Sequence, residues 1–144
     1  MVNICDIMDF DYFDIEAWQN WANNSKDMFR GIAEGGKIGF LLDEFDDLMI
    51  LLNIGVDNVE VSVLNDLTDV ELDASYADIV FTINPSDVED ILEDYDFEIF
   101  NELLDKQYIH LYNLIDFEAL DYNGYEHFLS RLGFYIDGCY YCGL

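Results

Sequence analysis

Apolar positions along the chain fall into short blocks, and the spacing within each block predicts an element. Asp14 followed by Ile15, Trp18, Trp21 and Ala22 reads as a capped helix with apolar residues on adjoining faces, broken at Asn23-Asn24-Ser25. A second short helix is predicted over 26–30, closed by Gly31, and Glu34-Gly35-Gly36 is a turn. Lys37–Leu42 reads as a short strand or the start of a helix. Phe45, Leu48, Met49 and Leu52 follow the i, i+3, i+4, i+7 pattern, which predicts a helix stopped by Gly55. At 58–64 the period drops to two, with Val59, Val61 and Val63 alternating with Glu60 and Ser62, as in a half-buried strand.

A second strand is predicted over 78–83. Asn84-Pro85 then opens a helix, Asn as the cap and Pro at the first position, with Val88, Ile91, Leu92 and Tyr95 on its inner face. The helical pattern continues through Phe97, Phe100, Leu103 and Leu104 after a bend near Asp96. A strand at 107–114 follows, then two short helices at 117–122 and 125–132. Phe134-Tyr135-Ile136 and Cys139-Tyr140-Tyr141 flank Asp137-Gly138, a hairpin signal because Asp-Gly supplies a left-handed turn. The sum is an α+β fold: one compact domain over 1–144, with a small, mainly antiparallel sheet, several short helices and a strongly acidic surface.

Composition sharpens this picture. Apolar residues make up 52% of the 144 and aromatic residues 16%, which argues for a packed globule and against an acidic disordered tail. Against 32 Asp and Glu stand five Lys and Arg, a formal charge of −27. Solubility needs a net charge of only about 2–8 in a small domain, and self-repulsion at this level opposes folding. Nucleic acid and anionic membranes are excluded as direct ligands, since both would be repelled. Adaptation to high salt also yields acidic chains, but the large apolar share here argues against it. The acidic first residues lack the positive start and apolar stretch of a signal peptide, the apolar run 48–52 is too short to span a membrane, and three cysteines fit a reducing compartment. A cytoplasmic location is expected.

Little in the sequence supports catalysis. His110 and His127 lack the context of a nucleophile–base pair, and Gly35-Gly36-Lys37 lacks the rest of a phosphate loop. Cys139-x-x-Cys142 has metal-ligand spacing but no second pair, and reads as two reduced cysteines. The acidic stretches fail the calcium-loop pattern. No enzyme activity, metal or cofactor is expected.

What remains is the single sign of the surface charge. Asp87, Glu89, Asp90, Glu93, Asp94, Asp96 and Glu98 crowd one helical stretch, and Asp43, Glu44, Asp46 and Asp47 form a second patch. Glu89/Glu93 and Asp90/Asp94 stand four apart, where like charges destabilise a helix and Lys partners would help. Duplex DNA carries one charge per ~1.7 Å, so a charge of −27 corresponds to roughly 46 Å, or about 13 base pairs. A compact chain of this length is roughly 35–40 Å across. These acids are the candidate site: outward carboxylates engaging the Arg and Lys of a basic, nucleic-acid-binding protein, with Tyr12 and Tyr95 as candidate anchors and a homodimer as a candidate assembly.

Leu114-Ile115-Asp116-Phe117-Glu118-Ala119-Leu120 resembles the I-D-Y-E-A stretch near the C-terminus of the ArdA antirestriction proteins, over about seven residues, with Asp121-Tyr122-Asn123-Gly124 where Gly-Arg-Asp would follow. The resemblance implies an acidic α+β protein of a phage or other mobile element that mimics DNA to block a restriction enzyme; CRISPR-Cas nucleases also present basic grooves, and the sequence does not choose between the two. Charge alone leaves open an immunity or antitoxin protein for one nuclease toxin, or an antagonist of a basic DNA-binding protein.

Overall fold

A computed structural model describes residues 12–45, 47–65, 67, 72 and 74–134. The chain opens with α1 (Ile15–Asn24), capped as expected: the Asp14 carboxylate accepts the N–H groups of Glu16 and Ala17. A single 3₁₀ turn, Lys26–Phe29, leads to β1 (Lys37–Leu42), β2 (Met49–Ile54) and β3 (Val59–Leu64). After a connection come β4 (Ile79–Ile83), α2 (Pro85–Glu93), α3 (Glu98–Asp105), β5 (His110–Asn113), α4 (Phe117–Tyr122) and α5 (Tyr125–Arg131).

The strands form one five-stranded sheet in the order β3-β2-β1-β4-β5. Three neighbouring pairs are antiparallel, and β1 with β4 is parallel, Phe40 lying beside Phe81. The sheet is thus mixed and mainly antiparallel, and the fold is α+β as the spacing predicted. One face carries Ile38, Phe40, Ile50, Leu52, Ile79 and Phe81, on which Trp18, Trp21, Phe100 and Phe128 of the helices pack, all essentially inaccessible to water. Phe40 stacks on Phe81 at 5.5 Å and meets Trp21 edge-on at 5.8 Å, an arrangement aromatic quadrupoles favour. The other face, with Met49, Leu51 and Val80, packs against Leu67 and Ala77.

Three sequence expectations need correction. The helix predicted through Phe45, Leu48, Met49 and Leu52 is strand β2. Between β1 and β3, with both faces covered, Met49, Ile50, Leu51 and Leu52 are all buried. A strand buried on both faces carries an unbroken apolar run, which meets a helical template by default. Second, α2 ends at Glu93, so Tyr95 is not on its inner face but 45% exposed in the following turn, while Val88, Ile91 and Leu92 are buried as expected. The break falls near Asp96: Phe97 takes a left-handed conformation (φ 60°) and stacks its ring on Trp21 at 4.9 Å. Third, the strand predicted over 107–114 is only His110–Asn113, because Lys106 and Gln107 still close α3 on the carbonyls of Glu102 and Leu104. The two last helices stand where predicted; the Asp137-Gly138 hairpin and Cys139/Cys142 lie outside the described residues. Gly124, at φ +83°, cannot be replaced without cost, since a Cβ there would run into the Gly31 carbonyl.

Candidate functional site

The parallel pairing of β1 and β4 assembles the candidate site. Two parallel neighbours end at the same side of a sheet, and the Asp43 N–H donates to the Ile83 carbonyl at 2.9 Å, so Asp43-Glu44 and the start of α2 leave the sheet side by side. Asp47 lies in the same turn, before β2. The Asn84 side chain accepts the Ser86 N–H, which sets the helix so that Asp87 occupies its first turn. Phe13 packs edge-on against Phe45 at 5.3 Å, which brings the start of α1, with Asp14, to this end as well. Two patches that look separate in the sequence therefore come to one end of the sheet, with Asp43, Glu44 and Asp47 in the turn beside the first turn of α2, which carries Asp87.

The remaining acids of the predicted stretch extend away from that end. Glu89, Asp90 and Glu93 are exposed along α2, and Asp96 and Glu98 are exposed in and after the turn. Asp94 is different: its two oxygens accept the N–H groups of Asp96 at 3.1 Å and Ile99 at 2.6 Å, so its carboxylate ties the turn and α3 together. Asp46 lies outside the described residues. Of the proposed anchors, Tyr12 is half-buried against Phe45, while Tyr95 is exposed at the far end of α2, beside Arg30 and Arg131. Tyr108, Tyr112 and Tyr122, which the sequence reading did not single out, are more exposed than Tyr95.

No described carboxylate is buried, and all but Asp78, Asp87 and Asp94 are exposed. Asp87 shows what crowding does: partial burial and then the charge of Asp90 hold its carboxyl above the ordinary range. Four of the five cations gather at one end, where Arg30 and Arg131 share a groove with Asp96 of the predicted stretch. Lys26 and Arg30 line a cleft with the β2–β3 turn, Lys37 starts β1 opposite Asn53, and Arg131 donates to the carbonyls of Asp27 and Met28, all at the opposite end of the sheet. Lys106, the remaining one, is paired with Glu102 at 2.8 Å. Lys106 and its partner Glu102 apart, the Asp43/Asp87 end thus carries negative charge alone, a separation that the folded positions of four scattered cations produce.

Among the described residues no group of three or more His, Cys, Asp or Glu stands close enough to hold a metal ion, and no helix is long and apolar enough to cross a membrane. His110 and His127 are exposed on β5 and α5. Comparison with protein-family models, curated proteins and solved structures finds no match in any of the three.

Proposed function

We propose that the chain is a DNA-mimicking inhibitor that occupies the basic nucleic-acid-binding surface of another protein, a defence nuclease of restriction or CRISPR-Cas type. The observation that carries this reading is the set of outward-facing carboxylates at the Asp43/Asp87 end of an aromatic-filled sheet, with four of the five cations held at the far end. Fixed carboxylates present to arginine the same paired oxygens as phosphates do. A field of this strength steers association with a basic groove and repels DNA from the occupied one. The segment resembling the antirestriction proteins, at residues 114–120, agrees with this setting.

The test is displacement of labelled duplex DNA from a panel of restriction and CRISPR-Cas nucleases. The variant Asp43→Lys, Glu44→Lys, Asp87→Lys, Asp90→Lys is compared with an equal reversal elsewhere, Glu34→Lys, Asp57→Lys, Asp121→Lys, Glu126→Lys. The first should lose displacement by at least about a hundredfold, the sum of several contacts of ~1 kcal/mol each, and the second should keep most of it. Unchanged displacement by the first variant, with the fold intact, would remove the basis of the proposal. A single nuclease toxin inhibited, with no DNA competition elsewhere, would point to an immunity protein instead.

A further inference from the structure

The two edges of the sheet are treated differently. On the β3 edge, the Gln19 side chain of α1 imitates a neighbouring strand: its Nε2 donates to the Val59 carbonyl at 2.6 Å and its Oε1 accepts the Val61 N–H at 2.9 Å. On the β5 edge nothing among the described residues does this. In an antiparallel ladder, successive residues turn their polar groups alternately toward and away from the partner strand. The Leu114 N–H donates to the Asp78 carbonyl, and Tyr112 and His110 pair with Val80 and Thr82 in the same phase. Leu111 and Asn113 therefore point their N–H and C=O groups outward, into a cleft of about 400 Å³ whose apolar walls include Leu104, Ile109, Leu111, Leu132 and Phe134.

The edge strand itself carries no carboxylate, and Asp105 stands at the rim of the cleft. Between Asp105 and Asp116 there is no acidic residue, and Tyr108 and Tyr112 stand exposed at 61% and 54%. A strand arriving here meets backbone groups with no partner among the described residues and a cleft that sets apolar side chains beside Gln107, His110 and Asn113, and acids lie beyond both ends of the strand.

We propose that the β5 edge docks an extended segment of the basic partner, one that alternates apolar and small polar residues and carries Lys or Arg at its ends. The segment adds a sixth strand through Leu111 and Asn113, its apolar side chains enter the cleft, and its terminal cations reach the carboxylates around Asp105 and Asp116. The charge of the chain selects this occupant over a second copy, which would bring −27 against −27. The inference rests on the reading above only for the basic character of the partner.

The probe is an acetylated heptapeptide of alternating valine and threonine with lysine at both ends, added to the full chain and followed by amide resonances and calorimetry. Expected are saturable binding, shifts and slowed hydrogen exchange at Leu111 and Asn113, and roughly tenfold weaker binding when alternate peptide amides are N-methylated, since two backbone hydrogen bonds are lost with the charge unchanged. Equal binding of the methylated peptide would overturn the proposal, because charge attraction alone would then explain it. So would Leu111 and Asn113 amides already protected in the free chain: at all concentrations this places the chain's own residues 135–144 on the edge, and only at high concentration a second copy. Each result is independent of DNA displacement, which tests the inhibitor reading separately.

Discussion

If the acids of α2 serve a partner rather than the fold, replacing one of them with a cation should make the protein more stable. Glu93 is the sharpest case. It is exposed, four residues after Glu89 and three after Asp90, and it is the last residue of a helix whose final turn contains no basic residue. In the wild-type chain it repels Glu89 and sits against the negative end of the helix dipole. In Glu93→Lys both interactions change sign. Reversing the i, i+4 pair is worth about 0.4–1 kcal/mol, and reversing the terminal charge about 0.6–2 kcal/mol. Because the site is exposed, the lower half of the combined range applies, ~1–2 kcal/mol. For a chain of this length that raises Tm by roughly 3–6 °C. Calorimetry at low ionic strength should show this rise, with Glu93→Gln giving about half, and the gain should shrink toward zero near 1 M salt, where screening acts over ~3 Å. DNA displacement by the same variant should weaken. A Tm unchanged or lowered at low salt, or a gain indifferent to salt, would refute the claim that the like charges on α2 oppose the fold.

Two further outcomes follow from single contacts. Gln19→Ala removes both bonds to the β3 edge and leaves a half-buried carbonyl and N–H unpaired; unfolding in denaturant should show a loss of about 1–3 kcal/mol, and light scattering should show association through the uncovered edge. Tyr125→Phe removes the hydroxyl that donates to the Asp78 carboxylate, which also accepts the Lys37 N–H at 3.1 Å, and should cost about 1.5–3 kcal/mol. Burial, and then the bond to Asp78, hold the Tyr125 phenol well above its ordinary value. The unfolded chain releases this proton near pH ~10 while the fold retains it, so wild-type stability falls as the pH rises past that point, and this part of the fall should vanish in Tyr125→Phe; an identical pH dependence in both would exclude the burial of this group as its source.

Much of the fold was legible because its signals are local. Asp14 and Asn84 cap helices through bonds to N–H groups two or three residues away, Pro85 needs no N–H at a first helical position, and the alternation of Val59, Val61 and Val63 reports one buried and one open face. β2 was not legible, because burial on both faces erases the periodicity that distinguishes a strand from a helix. Tyr95 was misplaced for a related reason: the chain leaves the helix at Asp94, whose carboxylate binds two N–H groups beyond it, and this choice depends on Phe97 finding Trp21.

The sequence by itself determined the amount and sign of the charge and the supply of apolar residues to hold a scaffold against it, since these are sums that no rearrangement alters. It also determined the helices whose caps lie beside them. Only the tertiary structure decided that Asp43 and Asp87 share one end, that Lys26, Arg30, Lys37 and Arg131 gather at the other, and that Gln19 closes one sheet edge while no described residue closes the other along Leu111 and Asn113. Those outcomes depend on the order and direction of strands far apart in the chain, above all the parallel pairing of β1 with β4, and strand order is set by the packing of both sheet faces at once.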